Sequence, residues 1–98
     1  MKYQLEGKNM VITGANSGIG KAAAIQLASM GATVIMACRS IERGSLALEE
    51  VKQKSQSDNV DLMQVDLSSQ KSIHSFSEAF INKYPRLDVL INNAANFD

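Results

Sequence analysis

Short apolar runs alternate along the chain with longer stretches in which apolar side chains recur every three or four positions. The first run, Asn9 to Thr13 (NMVIT), is brief and closes on Gly14, which suits a strand buried on both faces better than a helix. From Gly18 to Met30, Ile19, Ala22, Ala23, Leu27 and Met30 recur near helical spacing in an Ala-rich segment, and Gly31 stands where a C-terminal cap is expected. Ala32 to Cys38 (ATVIMAC) reads as a second buried strand. Ser40 is placed to cap a helix over Ile41 to Lys54, which carries Leu46, Leu48 and Val51 among Glu and Lys residues. Gly44 weakens its first turns, and the helix is expected to be largely exposed. After a polar turn, Val60 to Val65 is a third strand. Ser68 or Ser69 then caps a helix whose Ile73, Phe76, Phe80 and Tyr84 share one face before Pro85 ends it. Leu87 to Ile91 (LDVLI) is a fourth strand, followed by Asn92, Asn93, Ala94 and Ala95.

Four strands separated by three helices predict a parallel sheet, because each connection is a crossover and crossovers are nearly always right-handed. The fold class is therefore α/β. In a doubly wound sheet the strand order is 3-2-1-4, with the first two helices on one face and the third on the other. Ligands of such sheets sit at the carboxyl ends of the strands where the order reverses, here between the first and fourth strands above Gly14 and Asn92.

Composition narrows the functions open to such a sheet. Ten basic residues balance ten acidic ones, so no long-range field gathers nucleic acid or an anionic membrane. One cysteine, Cys38, cannot form an internal disulfide, and no metal-ligand spacing surrounds the single His74. No apolar run approaches the roughly 20 residues of a membrane span, and Met1 to Lys8 lacks an apolar signal core. A cytoplasmic setting is the expectation. At 98 residues the chain is at most one domain, with a modest core.

The segment Thr13-Gly14-Ala15-Asn16-Ser17-Gly18-Ile19-Gly20 falls between the first strand and the first helix. A glycine at the strand exit permits a tight turn, one at the helix start lets backbone approach a pyrophosphate, and a third allows close packing of the helix on the sheet. The helix N-terminus offers unpaired N–H groups to phosphates. The spacing is G-x-x-x-G-x-G, neither the G-x-G-x-x-G fingerprint nor a Walker loop, since Lys21 follows the last glycine without the G-K-[ST] ending. The competing reading is a glycine turn that binds nothing.

TGANSGIG resembles the TGxxxGxG cofactor loop of short-chain dehydrogenases/reductases. The fourth-strand ending NNAA is similar to that family's NNAG, and Asp66-Leu67 looks like its adenine-contacting aspartate and neighbour. The resemblance covers nearly all 98 residues but only the N-terminal part of a longer family fold, a Rossmann-type sheet. It implies that Gly14, Gly18 and Gly20 form the pyrophosphate loop, with further contacts from Asn16, Ser17 and Ile19. It also implies that Asp66, beside Leu67, accepts a hydrogen bond from the adenine amino group, that Asn92 braces the strand end, and that Ala94 lines the path to the nicotinamide ribose. Ala95 departs from the family's glycine.

Cofactor choice turns on the end of the second strand. An acid there would bind the ribose 2′-OH of NAD and repel a 2′-phosphate, but the chain has Cys38 followed by Arg39 and Ser40. A guanidinium grips a phosphate through paired, charge-assisted hydrogen bonds, so NADP is favoured over NAD. Ala37-Cys38-Arg39-Ser40 also resembles a subgroup that includes retinol-dehydrogenase-like enzymes. The alternative for Arg39 is a solvated residue opening a helix. His74, Cys38 and the aromatic stripe read as surface, inert core and core anchors respectively.

The family resemblance implies hydride transfer between NADP(H) and a small-molecule alcohol or carbonyl substrate, using a Ser and a Tyr-x-x-x-Lys pair. Neither Tyr3 nor Tyr84 is followed four residues on by Lys; those positions are Gly7 and Asp88. No catalytic residue is assigned, and the chain alone is expected to be inactive, marginally stable or self-associating, because truncation leaves the fourth strand as an edge. Three functions stay open: the cofactor half of an NADP-dependent oxidoreductase, a non-catalytic NADP-binding module, and an inactive truncation product. A homo-oligomer is compatible with each.

Overall fold

The computed structural model describes residues 4–93. Along them run β1 (Asn9–Thr13), α1 (Gly18–Ser29), β2 (Thr33–Cys38), α2 (Ile41–Ser55), β3 (Val60–Gln64), α3 (Gln70–Lys83) and β4 (Val89–Asn92). All strand pairings are parallel and the sheet order is β3-β2-β1-β4, the doubly wound order expected from the alternation of elements. The chain builds outward from β1 to β3, then crosses back to place β4 on the other side of β1.

The two central strands carry the core because apolar side chains leave alternate faces of a strand and both faces here are covered. Met10, Ile12, Val34, Met36 and Cys38 join Ala24 and Ala28 of α1 and Ala47 and Val51 of α2. Val11, Ile35 and Ala37 point the other way and meet Phe80, with Phe76 and Tyr84 packed beside it. Two helices on one face and one on the other follow from that period of two.

Of the apolar positions expected at helical spacing, Ala23, Leu27, Leu48 and Val51 pack on the core, while the most buried positions of the helices are smaller. In α1 the buried residues are Gly20, Ala24 and Ala28, spaced four apart, a stripe small enough for the helix to lie close to the sheet. Ile19, one of the apolar positions at helical spacing and an expected ligand contact, is 81% exposed, and Ala22 is exposed too. In α2 the inward residues are Gly44, Ala47, Val51 and Ser55, while Leu46 is 77% exposed. Gly44, expected only to weaken the helix, sits where a Cβ would come within 2.7 Å of Leu62 Cδ1. The glycine permits a close crossing of α2 over β3.

Helix ends follow local chemistry. Ser40 Oγ accepts the Arg43 N–H at 3.2 Å, and Ser69 Oγ accepts the Ser72 N–H at 3.1 Å, so Ser69 and not Ser68 caps α3. Gly31 closes α1 at φ 99°, a left-handed conformation. Tyr84, at φ −125° and ψ 141°, has already left α3, as a residue before proline must. The aromatic stripe forms as spaced, with ring centroids 6.3 Å apart for Phe76–Phe80 and 5.1 Å for Phe80–Tyr84. β4 starts at Val89 instead of Leu87, because Asp88 is engaged before it: its N–H donates to Asn9 O and its Oδ2 accepts the Asn9 N–H at 2.7 Å.

Candidate functional site

The carboxyl ends of all four strands come together beside the start of α1, and the β1–α1 turn lies across them. Gly14 leaves β1 at φ 64° and donates its N–H to Ala37 O, so the turn is tied to β2 in a conformation that disfavours any side chain. Gly18 opens α1 at φ 60°, and a Cβ built there would meet nothing within 4 Å, so the backbone at the helix start is bare on its outer side. Gly20 has a different task. A Cβ there would lie 2.5 Å from both Asn93 Nδ2 and Gly14 O, so this glycine lets α1 press on the turn and on the end of β4. The close approach expected of the third glycine is present, with the loop and strand end as its partners.

Ser17 precedes α1 in an extended conformation and makes no side-chain cap, and the first turn carries no acidic residue. The other two helices also begin after a serine, and there the hydroxyl does cap. The amides at the start of α1 therefore keep their positive end open to an anion. Ser17 and Ile19 are exposed beside these amides, where a ligand lying over the turn would touch them.

Beside the turn lies a cavity of about 210 Å³ lined by Gly14, Asn16, Ala37, Arg39, Val65, Asp66, Leu67 and Ser68. Pockets for drug-sized ligands measure about 300–1,000 Å³, so this space suits one end of an extended ligand, not the whole. A cation and an anion flank it. The Asp66 carboxyl is held below the usual carboxylate range, first by the Ser68 hydroxyl and then by the Ser68 amide, with a smaller contribution from the Arg39 charge. Asp66 is thus an acceptor of hydrogen bonds at neutral pH, and Arg39 offers its donors from an exposed position.

Asn92 ends β4 in register with Thr13, and the two are joined: Thr13 Oγ1 donates to Asn92 Oδ1 at 3.0 Å and accepts the Asn93 N–H at 2.9 Å. Asn93 Nδ2 then donates to Gly14 O at 3.2 Å. The bracing role expected of Asn92 is therefore shared with Thr13 and Asn93, neither of which was singled out from the sequence. The only available signal was their place at the ends of two neighbouring parallel strands.

Of the expected site residues, Gly14, Asn16, Arg39, Asp66 and Leu67 line one cavity, and Ser17, Gly18, Ile19 and Gly20 form the adjoining helix start. Ser40 uses its oxygen to cap α2 and does not line the cavity. Asn92 does not line it either; with Thr13 and Leu67 it bounds an apolar groove of about 440 Å³ running down between α3 and β4. That groove is mostly apolar, with Ile73, Phe76, Phe80, Ile81 and Leu90 among its lining, and the one cation that lines it, Arg86, is paired with Asp88 at 2.9 Å. Ala94 lies outside the described residues. Cys38 is buried beneath the turn, and burial pushes its thiol up in pKa, opposed by the Ala15 and Asn16 amides. His74 is on the surface, 3.3 Å from Glu78. Among the described residues, no group of three His, Cys, Asp or Glu side chains could hold a metal, and no helix is long and apolar enough to cross a membrane.

Known proteins share this arrangement. The chain is 50% identical over 90 residues to human dehydrogenase/reductase SDR family member 13, covering 92% of the chain and 24% of that protein. It is 47% identical over 91 residues to human retinol dehydrogenase 12, covering 93% and 29%. The chain thus spans about a quarter of the length of these curated relatives. Among solved structures, menthone neomenthol reductase from Mentha piperita superposes with a TM-score of 0.85 at 38% identity, over 91% of this chain and 32% of the other. The Pseudomonas aeruginosa RhlG/NADP active-site complex does so with 0.86 at 28% identity, over 97% and 37%. The family model for short chain dehydrogenase matches residues 8–97, spanning the glycine turn, the Arg39–Asp66 cavity and the braced end of β4, and the chain belongs to that family.

Proposed function

We propose that this chain binds NADP(H) and forms the cofactor-holding part of an oxidoreductase that moves hydride between that cofactor and a small-molecule alcohol or carbonyl compound. The observation that carries the reading is the uncapped, acid-free start of α1 set beside a cavity lined by both Arg39 and Asp66. The amides of Gly18 to Gly20 would hold the pyrophosphate, with Asn16 and Ser17 alongside. Arg39 would take the ribose 2′-phosphate, and Asp66 with Leu67 would receive the adenine. When bound, the nicotinamide supplies or accepts the hydride. The chain's own residues orient the dinucleotide, and the Thr13–Asn92–Asn93 tie keeps the turn and the strand ends in fixed register.

The relatives support the substrate class: the names retinol dehydrogenase and menthone neomenthol reductase specify an alcohol and a ketone for those proteins. The RhlG complex, titled with NADP, supports the cofactor. A cytoplasmic setting belongs to the same proposal and rests on the single thiol, which forms no internal disulfide.

Tyr84, the single tyrosine among the described residues, is engaged away from this site. Its hydroxyl donates to Asp61 Oδ2 at 2.6 Å near the opposite end of the sheet. Burial and the Asp61 charge push its pKa well above the usual phenol range, so it is no proton donor for the site.

Titration calorimetry of the chain and of Arg39→Ala with NADP and NAD tests the cofactor assignment. Loss of a charge-assisted contact of about 1.5–3 kcal/mol should weaken NADP roughly ten- to a hundredfold and leave NAD nearly unchanged. Equal effects on both dinucleotides would remove Arg39 from the 2′-phosphate.

A further inference from the structure

Asp66 is the anion of the cavity, and the turn that follows it uses almost all of its polar atoms. Its N–H donates to Ser72 Oγ at 2.8 Å, and its carbonyl oxygen accepts the Ser69 N–H at 3.0 Å. Oδ1 accepts twice from one residue, from the Ser68 N–H at 3.0 Å and from the Ser68 hydroxyl at 2.6 Å. Among the described residues no hydrogen bond ends on Oδ2. A carboxylate on a single Cβ rotates freely in solvent and presents either oxygen. Here the pair of Ser68 donors fixes which oxygen is spent inside the turn and which is left over, while Ser72 and Ser69 fix the backbone that carries the side chain.

We propose that Ser68 is a specificity-determining positioning residue: by occupying Asp66 Oδ1 with two donors it holds Oδ2 as a fixed, acceptor-only contact in the cavity, which selects a purine bearing an exocyclic amino group over one bearing a carbonyl at the same place. The inference rests on the reading of this cavity as the adenine end of a dinucleotide site. A 6-amino group donates to the carboxylate oxygen. A 6-oxo group presents a second acceptor to it, and two acceptors face to face repel. Were the carboxylate free to turn away, the repulsion would be relieved and the preference diluted. The lowered pKa of Asp66 supports the geometry, since a carboxyl gripped by Ser68 stays ionised and cannot become a donor.

Ser68 is exposed at the cavity rim and its hydroxyl caps no helix; Ser69 does that. The test is the ratio of affinities for NADP and for its hypoxanthine analogue, measured by calorimetry for the chain, Ser68→Ala and Ser68→Thr. The Ser68 N–H remains in the alanine variant, so the loss is that of one hydroxyl contact, and the preference for adenine should shrink about three- to tenfold. Affinity for the hypoxanthine analogue should hold or rise. Ser68→Thr, which keeps the hydroxyl, should restore the preference. A merely structural role for Ser68 would weaken both ligands alike and leave the ratio unchanged, which overturns the inference while leaving the cofactor reading in place. Failure of the unaltered chain to bind either dinucleotide overturns the cofactor reading and this inference with it.

Discussion

Single positions in the site separate into those fixed by conformation and those fixed by space. Gly18 has open surroundings but a left-handed backbone, so an alanine there carries a cost of about 1–2 kcal/mol from φ alone. Gly20 is an ordinary helical position whose Cβ would strike a backbone carbonyl, Gly14 O, and that atom cannot move without opening the turn. Gly44 would strike Leu62 Cδ1, the far end of a flexible side chain, and would gain about 1 kcal/mol of helix propensity in return. Gly20→Ala should therefore destabilise the chain by about 1–3 kcal/mol, and Gly44→Ala should change it by less than about 1 kcal/mol. Denaturant midpoints of the two variants check the order, and a larger loss at Gly44 would contradict it.

The elements were legible in the sequence where the pattern is local. NMVIT gives β1 at its true bounds, since an apolar run between polar Lys8 and Gly14 has few alternatives. The strand order followed from the succession of crossovers. In α1 and α2 the helical spacing marked Ala23, Leu27, Leu48 and Val51, which do pack on the core, but not the small residues through which the helices approach most closely, Gly20, Ala24 and Ala28 in α1 and Gly44 and Ala47 in α2. Small residues mark contact only once a neighbour's distance is known. The glycine turn and Asp66 were visible from order along the chain. The tie from Thr13 to Asn92 and Asn93 joins residues about 80 positions apart and depends on strand register, which no local pattern encodes.

Another long-range link joins helices. Lys21 of α1 and Lys54 of α2 each lie 2.8 Å from Glu50, and these two hydrogen bonds bring its carboxyl down to about 2 from the ordinary 4.5. A carboxylate whose pKa is lowered by folding stabilises the folded chain above its unfolded value and loses that contribution as pH falls. The contribution is present above about 4.5 and fades toward 2. The pair is solvent-screened, so its share is small, and Asp61, Asp66 and Asp88, also lowered, fade over the acid range as well. Glu50→Gln should flatten the fall of the denaturant midpoint between pH 5 and pH 2 without abolishing it. An unchanged acid slope would show that the Lys21–Glu50–Lys54 contact adds nothing.

At the scale of the whole molecule the two faces of the sheet are unequally covered. Among the described residues, α1 and α2 pack together over one face, whereas α3 alone stands on the other, beside the apolar groove. β4 is at the sheet edge with Leu90 57% exposed and Ile81 across the groove 72% exposed. An uncovered apolar groove next to an unpaired strand edge invites association. The 98-residue chain should show a concentration-dependent rise in mass by sedimentation, reduced in Leu90→Lys; a monomer at all concentrations would contradict this. With no Tyr-x-x-x-Lys in its sequence it should also turn over no carbonyl substrate in an NADPH-oxidation assay.

The cofactor assignment turns on where a dinucleotide lies. Amide chemical-shift mapping of the chain during titration with NADP gives that location residue by residue. With NADP seated as proposed, the largest shifts fall at Gly14 and Ser17 to Gly20, with a second set at Arg39 and Asp66 to Ser68. Shifts confined to the α3–β4 groove, or none at saturating NADP, would contradict it.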